Sequence, residues 1–138
     1  MKLGFSGTQQ GMTGPQYAVV GQWIKNRSDR ITEGHHGDCI GADQEFDGLM
    51  KRWGLDTYCH PPTDGVKRAW TKNHKKIYKA KPYLERNAII VQKTQYLLAT
   101  PKTMREELRS GTWSTIRVAR RLGRNITIIW PDGTVTNE

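Results

Sequence analysis

The chain has 138 residues, the size of one domain, and carries 22 Lys and Arg against 13 Asp and Glu, a formal net charge of +9. That balance favours anionic partners, nucleic acid or small phosphorylated ligands. No apolar run is long enough to span a membrane, and Met1 to Phe5 passes straight into glycine-rich sequence with no signal-peptide pattern, so no membrane partner and a cytoplasmic location are expected. Two cysteines, Cys39 and Cys59, are too few for a disulfide framework and are expected to stay reduced.

In chain order, Lys2 to Ser6 reads as a strand running into the loop Gly7 to Thr13. A helix is expected from about Pro15, with Thr13 as cap, proline in the first turn and Tyr17, Val20 and Ile24 inward. Arg30 to His35 is the second strand. The helix after it carries Ala42, Phe46, Leu49, Met50 and Trp53 on one face and stops at Gly54. Asp56 to His60 is a third strand, closed by Pro61-Pro62. Pro61 to Lys81 has little periodicity and reads as a long loop. Pro82 to Thr94 is a helix with Leu84, Ala88 and Val91 inward. Tyr96 to Ala99 and Asn125 to Trp130 are apolar strands flanking a helix whose stripe is Trp113, Ile116, Ala119 and Leu122, and a turn follows at Pro131-Asp132-Gly133.

Repeated strand-loop-helix units argue for an α/β fold: a three-layer, Rossmann-like, mainly parallel five-stranded sheet of order 3-2-1-4-5, with helices on both faces. No linker or repeat divides the chain, so residues 1–138 are expected to form a single domain. In a parallel sheet the loops after the strands open on one edge, where ligands bind. Gly7 to Thr13, His35 to Asp43, His60 onward and Arg109 to Thr112 therefore converge on one crevice. Ser110, Gly111 and Thr112 at the last helix start are either an ordinary N-cap or a phosphate pocket at the positive end of the helix dipole. Asp43 is either a dipole charge or an acceptor for a ribose hydroxyl.

The same edge gathers His35, His36, Asp38, Cys39, Cys59 and His60, all possible ligands for zinc or iron. Their spacing matches no standard finger or ribbon, and neither a metal nor a cofactor is expected. Pro61 to Lys81 holds Lys67, Arg68, Lys72, Lys75, Lys76, Lys79 and Lys81, interleaved with Trp70, His74 and Tyr78. It is a lid over an anion, a surface for single-stranded nucleic acid through Lys67, Arg68, Trp70, Lys75 and Lys76, or a solvated basic loop.

The segments Glu33-Gly34-His35-His36-Gly37-Asp38-Cys39-Ile40-Gly41-Ala42-Asp43, His60-Pro61-Pro62, Tyr83-Leu84-Glu85-Arg86-Asn87, Leu98-Ala99-Thr100-Pro101 and Arg109-Ser110-Gly111-Thr112-Trp113-Ser114-Thr115 together resemble the SLOG superfamily of Rossmann-like domains over nearly the whole chain. The chain is most similar to small DprA (Smf)-like members and also resembles the LOG phosphoribohydrolases. The resemblance implies a nucleotide site: Gly7 and Thr8 in the first loop, Gly41 and Asp43 in the second, Arg86 and Asn87 on phosphate or ribose, and Ser110, Gly111 and Thr112 on phosphate. Where LOG enzymes carry a catalytic glutamate, this chain has Thr115, with Glu106 and Glu107 just upstream as substitutes.

The expected function is binding of a nucleotide or nucleotide-derived signalling ligand, with His60 helping to select sugar and base and Arg109 as a counter-charge. One alternative is hydrolysis or transfer at a nucleotide N-glycosidic bond, using Glu107, Glu106 or Asp43. The other is DprA-like binding of single-stranded DNA through the basic loop. Five tryptophans leave room for a homo-oligomer.

Overall fold

The computed structural model describes residues 1–138. Its elements are β1 (Lys2–Gly7), α1 (Gly14–Asn26), β2 (Glu33–His36), α2 (Ala42–Arg52), β3 (Thr57–Cys59), β4 (Lys76–Ile77), α3 (Tyr83–Gln92), β5 (Tyr96–Thr100), α4 (Gly111–Arg121), β6 (Asn125–Ile129) and β7 (Val135–Asn137), with a 3-10 turn at Gly65–Lys67. One sheet contains all the strands in the order β4-β3-β2-β1-β5-β6-β7. The five central strands are parallel and take the expected order. Two edge strands lie beyond them, so the sheet has seven strands rather than five.

Both additions are short and exposed, which is why hydrophobic patterning missed them. Lys75 N–H donates to Thr57 O and Tyr78 N–H to Cys59 O, zipping β4 onto β3 inside the stretch read as a loop. At the other edge, Asp132 accepts from Thr134 N–H at 3.0 Å and turns the chain back, so that β7 pairs antiparallel with β6. Edges this short, one of them carrying lysine, resist pairing with another chain.

Alternation along the strands divides the core in two. Leu3 and Phe5 of β1 and Leu98 of β5 face α1 and α2, meeting Val20, Trp23, Ile24, Phe46, Leu49 and Met50. Phe5 and Phe46 stack with centroids 4.4 Å apart and nearly parallel rings. Burying each is worth about 1.5–3 kcal/mol. On the opposite face Leu97, Ala99, Ile126 and Ile128 meet Val91, Trp113, Ile116 and Ala119 of α3 and α4. There β1 offers only Gly4 and Ser6, which lets α3 and α4 approach closely.

Several boundaries and faces differ from expectation. The residues Arg30 and Ile31 close the end of α1 by donating to Arg27 O, so β2 begins only at Glu33. Tyr17, Trp53 and Leu122 are exposed at the margins of their stripes. The largest correction concerns α3, whose buried face is Arg86, Asn87, Ile90 and Val91, while Leu84 is 69% exposed. The polar pair turns inward because acceptors await it there.

Candidate functional site

Strand polarity brings the loops after β1, β2, β3 and β5 to one edge, together with the start of α3. They enclose a cleft of about 740 Å³ beside the point where strand order reverses between β1 and β5. Of the residues singled out from sequence, Gly7, Thr8, Asp43, Arg86, Asn87, Arg109, Ser110, Gly111 and Thr112 line it, as does Lys67 from the basic loop. Cys39, read from the sequence only as a possible metal ligand, also lines it, as do Gln9, Gln10, Ile40, Asp64, Tyr83, Leu84 and Lys102, which were not singled out as site residues.

The first loop is welded to α2. Thr8 O accepts from Ala42 N–H at 3.0 Å, and Glu45 Oε1 accepts from Met12 N–H at 2.7 Å. Gly7 has no room for a side chain: a Cβ there would stand 2.3 Å from Thr100 Oγ1 and 2.5 Å from Ala42 Cβ. Gly41, the N-cap of α2, has φ +88, and a Cβ on it would meet Gln9 O at 2.4 Å. Gly41 therefore shapes the wall without lining the cleft.

The start of α4 is open. Ser110 caps it by accepting from Trp113 N–H at 3.3 Å, whereas the N–H groups of Gly111 and Thr112 find no acceptor within the protein. No acidic residue occupies this first turn, and Lys102 and Arg109 border it. Asn87 Nδ2 reaches Gly111 O at 3.5 Å, linking α3 to the same helix start.

Arg86 is 5% exposed. Its Nη1 donates to Gly37 O (2.5 Å) and His60 O (3.1 Å), Nε to Asn87 Oδ1 (2.8 Å), and Nη2 to Cys39 Sγ (3.7 Å). Four of the five guanidinium N–H groups are engaged, three of them bracing the two loops and one on Asn87 of the same helix, and none of these acceptors is a carboxylate. Beside it, Asp43 Oδ2 accepts from Cys39 N–H at 3.2 Å. Burial pushes the Asp43 carboxyl above its ordinary value, against the pull of His36 and Arg86. Burial likewise raises the Cys39 thiol. The hydroxyl of Tyr83, another lining residue, is buried without a partner.

His60, Glu106 and Glu107 lie outside the cleft lining. His60 Nε2 lies 2.7 Å from His35 Nδ1, and its ring stacks on Tyr78 at 4.1 Å. Burial, with the neighbouring His35 and His36, pulls its pKa down to about 3, so this ring is neutral. Glu106 pairs with Arg117 (3.0 Å) and Arg120 (3.1 Å), and Glu107 accepts from the Thr103 hydroxyl (3.1 Å). Thr115 is buried and donates back to Gly111 O at 2.9 Å. No glutamate lines the cleft; its carboxylates are Asp43 and Asp64.

The histidines and cysteines gathered from sequence separate into groups. His35 pairs with His60, and Cys39 sits beside Arg86. His36, Asp38 and Cys59 instead join Asp47 and His74, neither of which was recognised from sequence as a possible ligand. In the basic loop, Arg68 pairs with Asp38 at 2.8 Å and stacks 3.8 Å over the ring of Trp70, which is 61% exposed. Lys76 Nζ lies 4.5 Å from the Tyr78 ring, and Lys75 is exposed. No helix is long and apolar enough to cross a membrane.

No protein-family model and no curated protein matches the chain. Solved structures do. TM1055, a structural-genomics target, superposes with TM-score 0.66 at 11% identity over 91% of this chain and 71% of its own. The molybdenum cofactor binding protein of Rippkaea orientalis gives 0.71 at 16% identity over 94% and 76%. DNA processing protein A (DprA) of Streptococcus pneumoniae gives 0.66 at 15% identity over 92% of this chain but only 49% of its own. What the chain shares with all three is the fold, a three-layer α/β domain on a mainly parallel sheet.

Proposed function

We propose that the cleft binds a nucleotide or a nucleotide-derived small molecule by its phosphate. The observation that carries this reading is the open start of α4: two unpaired N–H groups at the positive end of a helix, bordered by Lys102 and Arg109 and free of any acidic side chain in the first turn. Arg86 supports it, since a buried guanidinium without a carboxylate partner gains from an anion nearby. In this reading Ser110, Gly111, Thr112 and the Gly7-Thr8 loop hold phosphate, while Asp43 and Asn87 address the sugar. Asp43 and Asp64 are the only carboxylates that line the cleft.

A second reading, single-stranded DNA on the basic loop, is favoured by exposed Trp70 beside Lys67 and Arg68, a stacking face within a cationic surface. The neighbours that bind a molybdenum cofactor and process DNA fit either partner.

A thermal-shift panel separates the two. Nucleotides, cyclic nucleotides, ADP-ribose derivatives and short single-stranded DNA are compared at low and high salt. A ligand at 100 times its Kd adds about 2.7 kcal/mol, a clear rise in Tm. A salt-tolerant rise with one small nucleotide supports the cleft. A rise with DNA alone, lost at high salt, rejects it in favour of the loop.

A further inference from the structure

All four histidines and both cysteines of this chain fall on the β2–β3 side of the sheet, at the strand ends or in the loop leading to β4. Two sets of three side chains there bring one ligand atom each to within 4.8 Å of one another: His36, Asp47 and His74, and Asp38, Cys59 and His74. Proton bookkeeping chooses between them. His36 Nδ1 accepts the Asp38 backbone N–H at 3.0 Å, so the ring carries its proton on Nε2 and donates it to Asp47 Oδ1 at 2.9 Å. A nitrogen that holds a proton cannot ligate, which removes the first set.

His74 is not fixed in this way. Its Nε2 lies 2.9 Å from Thr71 Oγ1, and that hydroxyl donates to Asp38 Oδ1 at 2.5 Å, so Nε2 faces the Asp38 side. Its Nδ1 lies 2.7 Å from Thr57 Oγ1 and 3.6 Å from Asp47 Oδ1. Because the Thr71 proton goes to Asp38, the His74 ring proton without metal is on Nε2 and is donated to Thr71 Oγ1. Behind the ring stands the Thr57 hydroxyl, which can accept as well as donate, so zinc can displace that proton to Nδ1 and take the lone pair on Nε2, a shift that the backbone N–H on His36 Nδ1 forbids. Asp47 is itself held in place by His36 and Lys51.

We propose that Asp38, Cys59 and His74 Nε2 form a binding site for a zinc ion, with Thr71 Oγ1 or water at the fourth corner and Asp47 orienting His74 from behind. Imidazole, thiolate and carboxylate together suit zinc. Tetrahedral bonds of about 2.0–2.3 Å set the ligand atoms about 3.3–3.8 Å apart, so the present cluster needs to contract by up to about 1.5 Å. Binding releases the Cys59 proton to solvent and makes a thiolate–zinc bond. Asp38 keeps its second oxygen for Arg68, 2.8 Å away. Because Thr71 and His74 belong to the basic loop while Asp38 and Cys59 follow β2 and end β3, the ion ties that loop to the sheet.

The test uses the whole chain, metal-stripped with a chelator and dialysed. One equivalent of zinc by elemental analysis, a Tm raised by zinc but not by magnesium, and a thiolate-to-cobalt charge-transfer band on cobalt substitution are expected. Cys59→Ser abolishes the band and Cys39→Ser retains it. Asp47→Asn weakens zinc binding by about 10–100-fold while the one-to-one stoichiometry persists. Absence of stoichiometric metal in the folded wild-type chain, or a cobalt band that survives Cys59→Ser, overturns the site.

Discussion

Two helices begin at the carboxyl edge on either side of β1, and their first turns are finished in opposite ways. In α2 the first turn contains Asp43 and Glu45; Asp43 accepts from Cys39 N–H and Ala42 N–H is spent on Thr8 O. In α4 the first turn contains no acid, two N–H groups are unspent, and the nearby charges are Lys102 and Arg109. The same dipole therefore faces an internal anion in one helix and the open cleft in the other. Fold position alone does not make an anion site; the difference lies in what the first turn supplies for itself.

The strongest way to break this contrast is to give α4 what α2 has. Ser110→Asp keeps a good N-cap, since aspartate and serine cap about equally well, and sets a fixed carboxylate where the phosphate is proposed to sit. We expect affinity for the nucleotide found by the thermal-shift panel to fall at least about tenfold, while the ligand-free protein keeps its Tm or gains about 0.3–1 kcal/mol from the charge at the dipole. Calorimetric titration alongside thermal melts reads both quantities. Unchanged affinity in a stable variant would place the ligand elsewhere.

The reverse substitution, Asp43→Asn, removes one of the two acids from the first turn of α2. Burial raises the Asp43 pKa above its ordinary value of 3.8, with His36 and Arg86 opposing and Asp38 adding to the rise. The folded chain therefore keeps a proton that the unfolded chain releases first. Stability from this group is complete below about pH 4 and is lost as pH rises through the folded value. Denaturant melts from pH 4 to 7 should show the wild type losing stability relative to the asparagine variant as pH rises. A difference that is flat or slopes the other way would mean that Asp43 is not desolvated as its surroundings imply. Removing the charge is also expected to tighten binding of an anion a few-fold, a smaller change than that at Ser110.

The same contrast marks how far the sequence could be read. The order of the central strands and the convergence of their loops follow from local patterns: apolar runs, glycine-bearing loops and proline in first turns. The start of α4 drew notice too, as either an N-cap or a phosphate pocket, because Arg109-Ser110-Gly111-Thr112 sets small, hydroxyl-bearing residues at the positive end of a helix dipole. What escaped depends on partners distant in the chain. Arg86 and Asn87 fell outside the inward stripe read for α3 and came to the crevice only through the family resemblance; the bracing of Arg86 against Gly37 O and His60 O, across 49 and 26 residues, was not legible. Lys102 and Asp64 lie in loops without periodicity, so only strand closure shows that they reach the cleft. Asp47 sits within α2 and His74 within an unpatterned loop; neither position suggested a ligand until β4 paired with β3 and brought them together.

The smallest expected effect tests whether any chemistry lies outside this pair of helix starts. Glu106, a sequence candidate for the catalytic glutamate, is exposed and engaged by Arg117 and Arg120, and Arg120 also binds Glu138 at 2.8 Å through two nitrogens. Hydrogen bonds from Arg120 hold the Glu106 carboxyl below its ordinary value, against a slight burial effect and with help from Arg117; a general acid needs the opposite shift. Exposed pairs of this kind contribute about 0.2–1 kcal/mol each, and Arg120 retains Glu138 when Glu106 loses its charge. Glu106→Gln should therefore leave nucleotide affinity unchanged and shift stability by less than about 1 kcal/mol. If a nucleotide proves to be hydrolysed, this variant should hydrolyse it at the wild-type rate; a large loss of release of free base with binding intact would return the chemistry to the loop before α4 and displace Asp43 and Asp64 from it.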